Sequence, residues 1–122
     1  MRIGLGLEAS ALQAVGVARR AGRVEIGTRA VRQAGREGRL AAILVARDAS
    51  DNARERFERV RLNTGAELVV CGDRSALGRA VGRGPVAALG ITAPGLAGLV
   101  LEALQPGGRE GAVLDPVSIL EA

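Results

Sequence analysis

The residues best suited to chemistry lie between Gly27 and Arg36, where a glycine precedes a segment with helical periodicity. Arg29, Arg32 and Arg36 recur at spacings of three and four, which places three guanidinium groups on one face of a helix. The start of a helix also offers free backbone N–H groups and the positive end of the helix dipole to an anion. The segment therefore predicts an anion-binding surface, although a solvated helix face would show the same stripe. Further arginines lie nearby in sequence, at positions 19, 20, 23 and 39.

The charge distribution favours a polyanionic partner. The net charge is +4 and all 17 cationic residues are arginine, a bias that a GC-rich genome would also produce. Genome composition does not explain where the charges lie. Residues 1–39 carry eight arginines against three glutamates, a net charge of +5, whereas residues 84–122 carry one arginine against four acids, a net charge of −3. Such an asymmetry indicates a polyanionic partner on one side of the domain.

The side chains that most enzymes use are scarce. The sequence has no histidine, lysine or tyrosine, so acid–base, nucleophilic and metal chemistry lose their usual groups. The one cysteine, Cys71, ends an apolar stretch, where a free cysteine is usually a small core residue. Gly4 and Gly6 lack the preceding strand and third glycine of a dinucleotide loop, and are predicted to form a flexible lead-in. We expect no catalysis, no cofactor and no metal site.

The aromatic content separates two modes of nucleic-acid binding. Proteins that bind single strands stack bases on aromatic side chains. Phe57 is the only aromatic residue, and its helical position predicts that it faces the core. The remaining mode is recognition of a folded RNA, whose phosphates and exposed base edges would meet guanidinium groups and helix N-termini.

Helical and extended patterns alternate along the chain. Helices are predicted at 10–20, 28–36, 51–64, 73–81 and 93–104. Ser10 and Asp73 are predicted as caps, and the segment Asp48–Asp51 as the turn and cap before the third helix, with Asp48 and Asp51 as capping residues. Strands are predicted at 24–26, 40–46, 68–71 and 86–91, and the second and third have the apolar runs of buried strands. This order predicts an α/β fold, a three-layer α/β/α sandwich around a four-stranded mixed sheet. Residues 1–105 would form this domain and 106–122 a loosely ordered tail. The absence of a leader or a membrane-length apolar run makes the cytoplasm the expected compartment.

Four segments carry a resemblance to a known family. They are Val17–Arg23, Ile26 through Gly38, Leu44–Ser50, and Leu77–Gly82 with the stretch from Val86 to Gly95. Over residues 9–104 the chain resembles the kink-turn RNA-binding superfamily of ribosomal proteins (the seven-Ae/thirty-e/Gadd-type proteins). It is most similar to the bacterial YlxQ-like branch. The resemblance implies a non-catalytic domain that grips a sharply bent RNA bearing sheared G·A pairs, with ribosomal RNA or a ribonucleoprotein assembly as the partner.

The resemblance also implies where RNA would bind. The start of the second helix would read guanine edges, and the loop after Gly82 would cover an extruded nucleotide. The implied contacts are Gly27, Thr28, Arg29, Arg32, Gln33, Arg36, Arg83, Gly84 and Pro85. The family has Asn, Glu and Lys where this chain has Arg29, Ala30 and Gln33, and the alanine cannot accept a hydrogen bond from guanine. RNA binding is therefore better supported than kink-turn specificity.

Two other functions are compatible with the sequence. The first is a protein–protein interaction module on the same fold, which the loss of Asn, Glu and Lys at the reading positions would favour. The second is a small nucleotide-dependent enzyme, against which the missing histidine, lysine and tyrosine argue. RNA affinity that vanishes by moderate salt would indicate the first, and thermal stabilisation by a nucleotide or S-adenosylmethionine the second.

Overall fold

The computed structural model describes the backbone of residues 2–104 and the side chains of residues 8–104. The tail predicted for residues 106–122 lies outside the described residues. The elements in chain order are α1 (Arg2–Arg20), β1 (Val24–Ile26), α2 (Thr28–Arg36), β2 (Ala42–Val45), α3 (Asp51–Thr64), β3 (Glu67–Val70), α4 (Arg74–Ala80), β4 (Ala88–Ile91) and α5 (Pro94–Leu104). Within the described part of the chain, no helix has both the length and the apolar character needed to cross a membrane.

The four strands form one mixed sheet in the order β1-β4-β2-β3. β2 pairs with β3 in parallel, and β4 pairs antiparallel with both β1 and β2. The predicted α/β class and the mixed four-stranded sheet are confirmed.

Helices cover both faces of the sheet because the side chains of β2 alternate between two cores. Ala42 and Leu44 join a cluster that also contains residues of α1, α4 and α5. Ile43 and Val45 join a second cluster with Val31 of α2 and Phe57 of α3. The only aromatic side chain thus lies fully buried, as its helical position predicted. α2 therefore shares its face of the sheet with α3 and lies opposite α1.

The first helix begins earlier than the sequence predicted. α1 starts at Arg2, so Ser10 is not its N-cap, and Gly4 and Gly6 belong to the helix rather than to a flexible lead-in. Serine favours helix starts and glycine costs about 1 kcal/mol in a helix, but such local preferences yield to the wider pattern. Leu5, Ala9 and Leu12 continue the helical spacing through this segment.

The third strand differs from its prediction in burial. β3 pairs only with β2 and forms an edge of the sheet, where Glu67 and Val70 are exposed. An apolar run shows that residues favour a strand, but it does not distinguish a central strand from an edge strand. β2, the other strand predicted to be buried, is fully buried.

Candidate nucleic-acid interface

The start of α2 presents free backbone donors. Gly27 precedes the helix at φ 94° and ψ 165°, and no side chain caps the helix. The first N–H bonded within the helix is that of Val31, which donates to Gly27 O at 3.0 Å. The N–H groups of Thr28, Arg29 and Ala30 consequently have no partner within the helix. Three donors and the positive end of a nine-residue helix dipole lie together at this point.

The backbone N–H of Gly27 is not one of the free donors at this helix start. Its N–H donates to Ala88 O at 3.0 Å, so this group is held by the sheet and is not available to a ligand. The additional donor is the N–H of Ala30, which the sequence analysis did not single out. Its position three residues after the N-cap glycine is the signal that could have identified it.

The loop before β4 lies beside the start of α2. β1 and β4 pair antiparallel with Ile26 opposite Leu89, and the Gly27–Ala88 hydrogen bond extends this pairing by one residue. Arg83, Gly84 and Pro85 are all exposed in the loop that leads into Ala88. The two segments that the sequence analysis assigned to one site therefore lie at the same end of the sheet.

Hydrogen bonds to α4 hold this loop in position. Arg83 donates its N–H to Gly78 O at 2.8 Å, and Val86 donates to Arg74 O at 3.0 Å. Gly78 is buried directly under the loop, where a Cβ atom would overlap the carbonyl oxygen of Gly84 and lie 2.9 Å from that of Arg83. Only glycine permits this close approach of helix and loop.

The three arginines along α2 have different environments. Arg29 is exposed and Arg32 half-buried, and neither has a carboxylate partner among residues 8–104. The Nη1 of Arg36 donates to Gln33 Oε1 at 2.8 Å, and Gln33 Nε2 donates to Glu37 Oε2 at 2.7 Å. Arg29 and Arg32 are therefore the guanidinium groups best placed to meet an anion.

Arg39 does not extend this basic face. Its guanidinium pairs with Glu25 at 3.0 Å and with Glu37 at 2.7 Å. Hydrogen bonds from Gln33 and then from Arg39 hold the pKa of Glu37 below its usual range, so this carboxylate stays charged and keeps its partner. The basic face of α2 thus ends at Arg36.

The arginines that close α1 lie elsewhere. Arg19 and Arg20 end a helix on the opposite face of the sheet from α2. Arg23 precedes β1, and its carbonyl accepts the N–H of Thr92 at 3.0 Å, at the end of β4 away from Ala88. These three arginines do not join the surface around Gly27.

Cys71 lies in the core. The side chain is fully buried, and burial raises the pKa of its thiol to about 11. A thiol with so high a pKa carries almost no reactive thiolate at neutral pH. The carboxylate of Asp48 also has a structural contact. It accepts the backbone N–H of Arg74 at 2.9 Å.

Comparison with known proteins gives one family and one fold. Residues 9–100 match the model of the ribosomal protein L7Ae/L30e/S12e/Gadd45 family. A protein of unknown function from Bacillus halodurans is similar in structure, with a TM-score of 0.71 and 26% identity over 77% of this chain and 99% of that one. The 15.5kD RNA binding protein of Giardia lamblia is similar with a TM-score of 0.68 and 22% identity, over 80% of this chain and 84% of that one. No curated protein gives a significant sequence match.

Proposed function

The chain belongs to the ribosomal protein L7Ae/L30e/S12e/Gadd45 family, and from this premise we propose that it is a non-catalytic protein that binds structured, kink-turn-like RNA. The proposed contacts are Thr28, Arg29, Arg32, Gln33, Arg36, Arg83, Gly84 and Pro85, together with the N–H of Ala30. Gly27 completes the set because it has no side chain and allows RNA to approach the backbone closely, while its own N–H stays bonded to Ala88. That the chain belongs to the bacterial YlxQ-like branch of the family is also a proposal.

The observation that carries this proposal is the meeting of two segments at one end of the sheet. The free N–H groups of α2 and the loop before β4 lie at the same end of the sheet, where Gly27 donates to Ala88 O at the start of β4. Phosphate oxygens are bound well by helix N-termini and by guanidinium groups. A bent RNA could place a phosphate or a base edge at α2 while the loop covers a neighbouring nucleotide.

The side chains at the start of α2 suggest how bases would be read. An arginine can donate two hydrogen bonds to O6 and N7 of guanine, and exposed Arg29 is the candidate for this contact. Ala30 offers only its backbone N–H and cannot accept from a base. We therefore propose recognition through donors alone, which favours the acceptor-rich edge of guanine and the phosphates.

A gel-shift assay with Arg29→Glu tests the proposal. We expect wild type to prefer a kink-turn RNA over a straight duplex of equal length, and Arg29→Glu to abolish binding of the kink-turn RNA with the fold intact. Arg19→Glu is the matched control, because it makes the same charge change at an exposed position on the other face of the sheet.

Two results would contradict the proposal. Unchanged affinity of Arg29→Glu would eliminate the assigned surface. Wild-type affinity that vanishes at moderate salt, without preference for the bent RNA, would indicate the protein–protein interaction module, since non-specific binding is mostly electrostatic.

We also propose that the partner is ribosomal RNA or an RNA of a ribonucleoprotein assembly in the cytoplasm. The Giardia lamblia protein of the same fold is an RNA binding protein, and the family includes ribosomal proteins. Crosslinking in cell extract, followed by sequencing of the recovered RNA, tests this part. Recovery of messenger or transfer RNA alone would contradict it.

A further inference from the structure

A second arginine-rich surface lies between α2 and α3. The two helices border a surface groove of about 290 Å³. Its lining residues are Arg32, Gly35, Arg36, Arg56, Arg59, Val60, Asn63 and Thr64. Four are arginines, two from each helix, and no acidic side chain is present in this lining. We refer to this feature as the arginine groove.

The close packing of the two helices brings these arginines together. Gly35 is buried in α2, and a Cβ atom there would lie only 3.0 Å from Val60 Cγ1 of α3. Glycine at this position allows α3 to approach the backbone of α2. The arginines on either side of the contact consequently border the same groove.

The charges of the groove are not neutralised by the described part of the domain. Arg32, Arg56 and Arg59 have no ion pair among residues 8–104, and Arg36 bonds only to the neutral amide of Gln33. Among the nearby acids, Glu58 pairs with Arg61 at 2.6 Å and Glu37 pairs with Arg39. Glu55 is exposed on α3, does not line the groove and forms no ion pair with Arg56 or Arg59. A concave surface lined by charges of one sign concentrates the electrostatic field and attracts counter-ions of the opposite sign.

The groove continues the surface assigned to RNA. Arg29 and Arg36 are seven residues apart on α2, roughly 10 Å along the helix axis, and Arg32 lies between them and also lines the groove. We propose that the arginine groove binds the phosphodiester backbone of the RNA strand that leaves the start of α2. Arg56 and Arg59 are the new phosphate contacts, and Asn63 is a further hydrogen-bond donor at the groove wall.

The chemistry of the groove favours a nucleic-acid backbone over an acidic protein. Protein interfaces depend on apolar and aromatic anchors in desolvated pockets. Val60 is the one larger apolar side chain in the lining, and the rest is guanidinium, amide, hydroxyl and glycine. Phosphate oxygens match guanidinium groups directly and need no apolar anchor.

This inference rests on the proposed RNA binding, and paired double variants on one helix test it separately. Arg56→Ala/Arg59→Ala removes two charges from the groove. Arg54→Ala/Arg61→Ala removes two charges from the same helix outside it, where Arg54 contacts the carbonyl of Arg47 and Arg61 pairs with Glu58. The measurement is the affinity for a kink-turn RNA with full helical arms as a function of salt concentration, with circular dichroism and thermal melting to check the fold.

We expect the groove variant to bind more weakly and to lower the slope of log affinity against log salt by roughly 1.4 to 1.8, since each phosphate contact contributes about 0.7 to 0.9. The control variant should keep the wild-type slope. Equal slopes for the two double variants, with wild type binding the RNA, would overturn the groove and leave the surface at the start of α2 intact. Absence of RNA binding by wild type would overturn the proposed function itself, and the groove with it.

Discussion

At the scale of single residues, the arginines of α2 and of the segment that follows it differ in what their guanidinium groups contact. Arg39 forms ion pairs with two carboxylates, and Arg36 donates a hydrogen bond to the side-chain amide of Gln33. Among residues 8–104, the guanidinium of Arg32 has neither kind of partner. Only a guanidinium that keeps its charge uncompensated can displace the counter-ions of an RNA phosphate. Counting arginines in a sequence therefore overstates the surface that is available to an anion.

This difference predicts unequal effects of two otherwise similar substitutions. Arg32→Ala should weaken RNA binding and reduce the salt slope by about one, because it removes one phosphate contact shared by α2 and the arginine groove. Arg39→Ala removes the same formal charge but should leave the slope nearly unchanged. Fluorescence anisotropy at several salt concentrations measures both. A larger slope change for Arg39→Ala than for Arg32→Ala would show that the ion pairs of Arg39 open in the complex.

At the scale of secondary-structure elements, the contact between α4 and the loop before β4 depends on one glycine. Gly78→Ala should lower the free energy of unfolding by about 1–3 kcal/mol. The added methyl group would overlap backbone atoms of the loop, and rotation of a side chain cannot relieve that overlap. RNA binding should also weaken, since the loop carries Arg83, Gly84 and Pro85. Thermal melting and the gel-shift assay measure the two effects.

Gly16→Ala provides the matched control for this substitution. Gly16 also lies within a helix, but the nearest atoms to an added Cβ are 3.7 Å away. Alanine is better than glycine in a helix by up to about 1 kcal/mol, so this variant should be as stable as wild type or more stable. A Gly78→Ala protein with wild-type melting temperature and RNA affinity would show that the loop is not positioned by this contact.

The elements also show which features of the fold can be predicted from sequence patterns. Asp73 was predicted to cap α4, and it accepts the N–H of Ala76 at 2.8 Å. The segment Asp48–Asp51 was predicted as the turn and cap before α3, and within it Ser50, rather than either aspartate, caps the helix by accepting the N–H of Ala53 at 3.1 Å. Both predictions placed a helix start correctly. Their success is local, since a cap needs only neighbouring residues. The edge position of β3 depends on which strand lies beside it, and periodicity alone does not contain that information.

The same distinction applies to the candidate site. The basic face of α2 follows from residue spacing, and the adjacent loop before β4 follows from the family resemblance. The Arg39–Glu25 ion pair joins residues 14 apart, and the arginine groove joins two helices through Gly35 and Val60. Contacts between distant segments leave no pattern within either segment of the sequence. For this reason no role in binding was predicted for the outer face of α3.

At the scale of the whole molecule, the proposed surface occupies one end and one face of the sandwich. The start of α2 and the loop before β4 lie at one end of the sheet, and the arginine groove lies on the α2–α3 face. Arg19 and Arg20 of α1 lie on the other face. The net charge of +4 alone would attract any polyanion weakly, whereas the proposed site requires an RNA that reaches the start of α2 and the loop before β4 together.

Thermal unfolding distinguishes these two kinds of attraction, because a ligand that binds only the folded protein stabilises it in proportion to its occupancy. At a hundred times its dissociation constant, kink-turn RNA should add about 2.7 kcal/mol to the free energy of unfolding. A straight duplex of equal length and charge, at the same concentration and moderate salt, should add much less, since its contacts are mainly electrostatic and are screened. Differential scanning calorimetry with each RNA measures the two shifts. Equal stabilisation by both RNAs would mean that net charge rather than the geometry around Gly27 governs binding.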